Sequence, residues 1–502
     1  LLSVWARQTP DEPAVTSPWG TRTFAELDAE ANRLARAMRR HGVGEGAHVA
    51  LVCGNRPEFA TTVFACLRVG ATYTPVNWHL TPDEIAYVLD DCGAQVVVGD
   101  ARWGDTVAGA VTTADRVALR IAVGGPIDGF TRWGDLLAAE DGAALSDPVL
   151  GNRMLYTSGT TGRPKGVVRP PRYSTGLPAL TTAPGYRSGT GQRHLCTGPL
   201  HHGGPLGFSL VAPLSAGVGT VLMDRWDAAE ALRLVESERI THTHMVPTMF
   251  RRLLLLPDDV RTGADVSSLT YVLHGAAPCT VETKRRIIEW FGPVVWEYFA
   301  ATEGAGASIS SEEWLQRPGS VGRPPTPDHV LVVDDDGVPC PAGTAGELRV
   351  RRDPASDFEY FGDPDKTAAA RRGDYFTIGD IGYLDDDGYL FITDRTADVV
   401  VRGGVNVYPA EVEAVLQTHP AVEDAGVVGM PDPDLGEEVV AAVVLVEDGP
   451  QPTAAELVAW CKERLAGFKV PRRIDLVDEL PRLDNGKLYR HRLRERYRTP
   501  DQ

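Results

Sequence analysis

No stretch of this sequence approaches the ~18 consecutive apolar residues that a membrane-spanning helix needs, and its start carries no hydrophobic signal segment. Neither an integral-membrane nor a secreted protein is expected. Basic charge is also scarce. Lys and Arg number 50 against 68 Asp and Glu, a formal charge of -18, so no basic face for nucleic acid is expected. Cysteine is sparse: seven residues, at 53, 66, 92, 196, 279, 340 and 461, with no CxxC spacing and an odd count. Reduced, structural thiols fit that pattern, which places the protein in the cytoplasm. A Walker phosphate loop is missing as well, although one segment comes close to it.

That segment is YTSGTTGRPKG, residues 156–166. A Walker loop reads G-x-x-x-x-G-K-[ST] and opens a helix. Counting from Gly159, the second Gly position holds Pro164, and Gly166 stands where Ser or Thr should bind the metal. Pro164 also interrupts any run of N–H donors. What is present is a hairpin loop with hydroxyls at Thr157, Ser158, Thr160 and Thr161, and positive charge at Lys165. Gly159 and Gly162 allow close backbone approach. Such a loop can wrap a pyrophosphate that enters with a nucleotide and then leaves.

At 502 residues the chain is too long for one hydrophobic core. Its first part alternates helical and strand patterns. Thr23 and Glu26 have capping-box spacing before FAELDAEANRLARAMRRHG, and HVALVCGN, PEFATTVFACLRVG and ATYTPVN continue the alternation. This argues for two similar layers of parallel-rich sheet covered by helices. Beyond about residue 340 short strands with Gly and Asp-Gly turns suggest a small β-barrel-like part. DDDG at 385–388 is a hairpin signal. After Asp394 a compact α+β pattern follows. The expected class is therefore α/β, with a large N-terminal unit over 1–394 and a smaller, mobile C-terminal unit over 395–502. The polar tail after Lys487 reads as a solvated terminal helix.

YTSGTTGRPKGV resembles the phosphate-loop signature of the adenylate-forming superfamily of acyl-CoA synthetases, peptide-synthetase adenylation domains and luciferases. EYFAATEG at 297–304, GDIGYLDDDGYLFITDR at 379–395, RGGVNVYPAEVE at 402–413 and PRLDNGKL at 481–488 match further motifs of that family in the expected order. Similarity to actinobacterial fatty- and steroid-acid CoA ligases runs through HMVPTMFRRLL and HGAAPCTVETKRRIIEWFG.

The resemblance implies two steps: a carboxylate attacks the α-phosphate of Mg-ATP, and CoA then displaces AMP from the acyl-adenylate. Two anions must meet in the first step, so cations and oriented donors are needed. By resemblance, Glu303 holds Mg2+, Thr302 donates to the α-phosphate, Asp380 accepts the ribose hydroxyls, and Arg395 contacts ribose or phosphate. Lys487 bridges carboxylate and phosphate. Gly275, Ala276, Ala277 and Pro278 form the adenine segment, with Phe299 stacking where relatives carry Tyr. His201, with His202, belongs to PLHHGG near the acyl carboxylate. Arg402, Gly403 and Gly404 meet CoA, with Lys469, Arg472 and Arg473 as further phosphate candidates.

One departure falls at the hinge. Thr396 and Ala397 stand where the family places Lys or Asp, with Asp398 one residue on. Ala397 has no polar side chain to stabilise one orientation, so unequal half-reactions are expected. Amino-acid-activating relatives place an Asp near the PLHHGGPLGFSL region to pair with the substrate ammonium. None is present there, so the resemblance implies an acid with an uncharged tail, and small residues in AATEGAGASIS suggest a roomy pocket for a bulky, hydrophobic acid. The alternatives are a variant running mainly one half-reaction, a ligase loading a carrier protein, and a non-catalytic nucleotide binder. Expected partners are the acid, ATP or AMP, CoA and a second copy in a homodimer.

Overall fold

The computed structural model describes residues 2–157, 164–171, 186–187, 189, 191–355, 357–395, 398–403, 405–447, 449–483 and 486–498. Helix Phe24–Arg40 starts at a reciprocal cap: Glu26 N–H donates to Thr23 Oγ1 at 3.2 Å, and Thr23 N–H donates to Glu26 Oε2 at 2.9 Å. Two orphan amides are satisfied at once, as the capping-box spacing implied. Thr81 with Glu84 and Thr453 with Glu456 repeat the device. Leu27, Leu34 and Met38 recur at helical spacing and are buried, while Arg39 and Arg40 end the helix.

Two eight-stranded sheets make the large unit. In the first, Asn152–Thr157, Thr72–Pro75, His48–Val52, Val96–Asp100, Leu119–Val123 and Thr131–Arg132 run parallel. Lys165–Val168 and Glu359–Tyr360 close one edge antiparallel. In the second, Val295–Ala300, Tyr271–His274, His242–Met245, Arg193–Cys196, Gly219–Leu222 and Pro13–Ser17 run parallel, with antiparallel strands Ala305–Ile309 and Gly20–Thr23 at the edges. The largest hydrophobic cluster joins helices Phe24–Arg40 and Pro57–Val69 to Leu51 and Val98 of the first sheet and to Leu206 and Leu210. Strands covered on both faces are continuously apolar for that reason. The expected α/β class with two parallel-rich layers is borne out. Among the described residues no helix is long and apolar enough to cross a membrane.

The barrel-like part is a six-stranded antiparallel sheet that includes Gly346–Arg351, Asp380–Leu384 and Leu390–Arg395. Its 385–388 turn is held by Asp385 Oδ1, which accepts from the amides of Asp387 at 3.0 Å and Tyr389 at 2.8 Å. A five-stranded sheet between Val400 and Leu476 forms the C-terminal unit. Helices Pro409–Gln417 and Ala454–Lys462 cover one face through Val412, Leu416, Leu457 and Cys461. Helix Arg490–Arg498 covers the other through Leu493. This corrects the reading of the tail as a solvated helix: Leu493 is fully buried, and Arg490 pairs with Glu413 at 2.7 Å and Asp398 at 3.4 Å.

Gly322 stitches the antiparallel sheet to the second large sheet. It bridges Leu390, its neighbour Arg323 bridges Ser308, and its φ is +105°. A Cβ there would lie 2.0 Å from Ser308 O, which is backbone and cannot yield. Gly322→Ala should therefore cost about 2–4 kcal/mol, read as a lowered urea midpoint. An unchanged midpoint would contradict this account of the junction.

Candidate active site

The edge pairing of the first sheet carries Tyr360 across to Lys165. Tyr360 stands opposite Val167, and Lys165 Nζ lies 4.9 Å from the centre of the Tyr360 ring. Tyr360 Oη donates to Glu303 Oε1 at 2.9 Å. Burial and the adjacent carboxylate both push the phenol upward. Three distant segments thus converge: the end of the Gly-Thr loop, the TEG motif and a two-residue strand. The loop's flanks are anchored, because Thr157 pairs with Lys165 and Tyr87 Oη donates to Pro164 O at 3.1 Å. Ser158, Gly159, Thr160, Thr161 and Gly162 lie outside the described residues.

A second group is centred on Asp380, which is 4% exposed. Asp380 and Arg395 are directly opposed in their hairpin, and Arg395 Nε donates to Asp380 Oδ1 at 2.9 Å. Burial pushes this carboxyl up against the pull of Arg395 and Lys487. Lys487 arrives on a tight turn of the C-terminal unit, in which Gly486 N–H donates to Leu483 O and Leu483 N–H to Lys487 O. Arg482 braces that turn, donating to Asp424 at 2.5 and 2.7 Å and to Gly486 O at 2.8 Å. Gly486 has φ +77°, and a Cβ there would fall 2.6 Å from Thr248 Oγ1. The lysine turn therefore sits directly on the strand-to-helix corner Val246–Thr248 of the large unit. Burial, and then Arg395, lower the Lys487 pKa to about 8, with Asp398 and Asp380 opposing. Arg251 of helix Pro247–Leu254 fixes the docking by donating to the carbonyls of Gln417, Val422 and Glu423.

In the segment expected to hold adenine, Ala276 takes a left-handed φ of 67°, a strained turn for a residue with a Cβ. Gly275 lies against Tyr298: an added Cβ would meet Tyr298 O at 2.6 Å. Ala277 and Pro278 complete the loop before helix Val281–Phe291. Phe299 is half-buried, and its ring lies against Gly306, where a Cβ would meet Cδ1 at 2.4 Å. Phe376 fills the space beside Gly304 in the same way. Gly304 and Gly306 of AATEGAGASIS thus lie against two rings, Phe376 and Phe299.

Residues 2–355 match the family model described as AMP-binding enzyme, and residues 411–487 match that of the AMP-binding enzyme C-terminal domain. The chain belongs to this family of AMP-binding enzymes. A feruloyl-CoA synthase of Amycolatopsis sp is 34% identical over 498 residues, covering 98% of this chain and 97% of that protein. A long-chain-fatty-acid–CoA ligase of Mycobacterium tuberculosis is 32% identical over 486 residues, covering 95% and 93%. The crystal structure of an anthranilate CoA ligase in complex with anthranoyl-AMP superimposes with a TM-score of 0.87 at 26% identity, covering 99% of this chain and 96% of that one. This AMP-binding enzyme is an AMP-forming acid–thiol ligase, of a class that uses ATP, Mg2+ and CoA.

Other sequence candidates of the ligase stand apart from the two groups. His201 is buried, its ring 4.3 Å from that of His202 and edge-on to Trp78 at 6.0 Å. Burial holds His201 well below the ordinary imidazole value and His202 down to about 4, so both are neutral at pH 7. Arg402 donates to Phe468 O at 2.7 Å, and Gly403 N–H to Leu435 O. The described partners of Arg402, Lys469, Arg472 and Arg473 all lie in the C-terminal unit. Gly404 and the hinge pair Thr396 and Ala397 lie outside the described residues. Asp398, one residue on, pairs with Arg490 at 3.4 Å and Arg494 at 3.8 Å. Sequence reasoning missed Tyr360, Arg251 and Arg482. Arg482 sits inside the PRLDNGKL motif, whereas Tyr360 and Arg251 have no local chemical signature.

The role expected of Lys487, offsetting two anions, requires an ammonium. Its charge is full well below pH 8 and is lost as pH rises through that value. Adenylation kcat/KM should fall about tenfold per pH unit on the alkaline side of that value. Lys487→Arg should remove this limb whatever its residual rate. The same limb in both proteins would contradict the assignment.

Proposed function

We propose that this ligase activates a hydrophobic carboxylic acid of some bulk, first as the acyl-adenylate and then as the CoA thioester. What supports the reading is the half-buried Lys487, delivered by the C-terminal unit to a pocket that already holds Asp380 and Arg395. A lysine pushed down to about 8 by burial and a neighbouring guanidinium is a cation poised to gain an anionic partner.

In this reading Asp380 accepts from the ribose hydroxyls and Arg395 reaches ribose or phosphate. The backbone of 275–278 and the Phe299 ring hold adenine. Thr302 donates to the α-phosphate. Lys165, with Thr157 and the loop through Ser158, Gly159, Thr160, Thr161 and Gly162, holds the leaving pyrophosphate. Glu303 would share Mg2+ with phosphate oxygens, where the ion offsets their charge. The donor set fits: Glu303, 9% exposed, is a hard carboxylate ligand, and Mg2+ binds well through one carboxylate plus substrate oxygens and water. Tyr360 fixes the Glu303 carboxylate by donating to one of its oxygens. Lys487 draws carboxylate and α-phosphate together and stabilises charge as it develops. His201, neutral and buried, lines the carboxylate end. After adenylation the C-terminal unit turns, and Arg402, Gly403 and Gly404 meet CoA. Asp398, tied to Arg490 and Arg494, supplies at the hinge the charge that Ala397 lacks.

Two assays separate the half-reactions: acid-dependent ATP–pyrophosphate exchange, and thioester formation from preformed acyl-AMP. Lys487→Ala should slow the first about 10²–10³-fold and spare the second. Unchanged exchange would refute the role of Lys487. Comparable wild-type rates in both assays would remove the imbalance expected from Ala397.

A further inference from the structure

One face of the second sheet is aromatic and imidazole-rich, and none of the site residues assigned above lies on it. The parallel register sets His194 opposite His242, His242 opposite Tyr271, His244 opposite Leu273, and Leu273 opposite Trp296. Side chains two apart share a face, so Tyr298 joins this row as well. The π-helical segment Pro205–Val211 crosses in front of it. π-Helical turns concentrate at functional sites. Phe208, on that segment, stacks on His244 with ring centres 5.5 Å apart at 23° and lies 5.0 Å from Tyr298. Phe208, Trp296 and Tyr298 are only half-buried, although their strands and segment are internal to the fold. Tyr186, Phe208, Trp296 and Tyr298 pack around Tyr271 and Leu273, and the rings of Phe208, Trp296 and Tyr298 each keep some exposed surface.

Its position relates it to the chemistry. A Cβ on Gly204 would lie 3.0 Å from His244 Cε1 and 3.2 Å from Tyr298 Oη, and one on Gly275 would lie 2.7 Å from Tyr298 Cε1. Gly204 ends PLHHGG, and Gly275 opens the adenine segment. The His244–Tyr298 pair therefore adjoins both the carboxylate end and the nucleotide end of the site. His244 Nε2 and Tyr298 Oη are hydrogen-bonded at 3.1 Å. Burial holds His244 down to about 4, so the pair is uncharged. A phenol in one hydrogen bond keeps capacity for a second.

Building on the ligase reading above, we infer that the acyl pocket selects a planar aromatic acid carrying a neutral hydrogen-bonding substituent. Phe208, Trp296 and Tyr298 wall the ring, and Tyr298 Oη bonds the substituent. A saturated chain fits this face poorly, because it uses neither the ring geometry nor the polar pair.

The test measures pyrophosphate release with Mg-ATP and CoA by the full chain, for 4-hydroxycinnamate against cinnamate, 4-hydroxybenzoate against benzoate, and decanoate. In at least one pair the hydroxylated acid should exceed its parent and decanoate by about 10-fold in kcat/KM, and Tyr298→Phe should collapse that ratio by a similar factor. Decanoate preferred to every aromatic acid, or hydroxyl-indifferent rates in both pairs, would overturn the inference and leave the ligase reading standing. Release with no acid at all would overturn both. Should Tyr298→Phe fail to fold, the wild-type ratios alone decide.

Discussion

The ion pair between Asp380 and Arg395 is the interaction on which the site depends. It closes the last hairpin of the six-stranded sheet, immediately before the proposed hinge segment, and its carboxylate is almost fully buried. A lone carboxylate there would be costly. Arg395 lies 2.9 Å away, and Lys487 adds a second positive charge from the other unit. Arg395 and Lys487 face this buried carboxylate, with Glu303 and Asp398 also close, in a chain whose formal charge is -18. Low dielectric strengthens the pull of both cations on an incoming phosphate or carboxylate.

Docking of the C-terminal unit rests on a few specific contacts. Arg251 gathers three carbonyls, Arg482 braces the lysine turn against Asp424, and Gly486 permits its close approach to Thr248. Polar, localised contacts of this kind suit a unit proposed to turn after adenylation. Arg490, buried among Asp398, Glu413 and Asp394, ties the hinge residue to the helix that follows Lys487. The Asp394 carboxylate, pushed up to about 6 by burial, accepts from Ala410 N–H and so joins the large unit to the first helix of the small one.

Local devices were legible in the sequence. The Thr23–Glu26 cap, the 385–388 turn and the alternation behind two parallel sheets each depend on neighbours within a few residues. Lys165, Glu303, Asp380, Arg395 and Lys487 were legible through motif resemblance, and they fall into two compact groups. Tyr360 was not, because its role depends on a two-residue strand pairing with a segment nearly 200 residues earlier. The small residues of AATEGAGASIS signal close approach, but not that rings approach Gly304 and Gly306. The tail misled because its arginines dominate the composition, although Leu493 and Arg490 turn inward. The His244–Tyr298 pair was hidden by separation in sequence: two strands bring it together.

The central claim is that the orientation seen here is the one that adenylates. A disulfide between Thr248→Cys and Gly486→Cys would trap it, since a Gly486 Cβ already lies 3.5 Å from Thr248 Cγ2 and five of the seven native cysteines are buried. The decisive measurement is single-turnover pyrophosphate release by the oxidised double variant. The account predicts release close to that of the reduced form, with thioester formation from acyl-AMP slowed by about 10²-fold or more until the bond is reduced. Loss of pyrophosphate release on oxidation, with thioester formation retained, would contradict it.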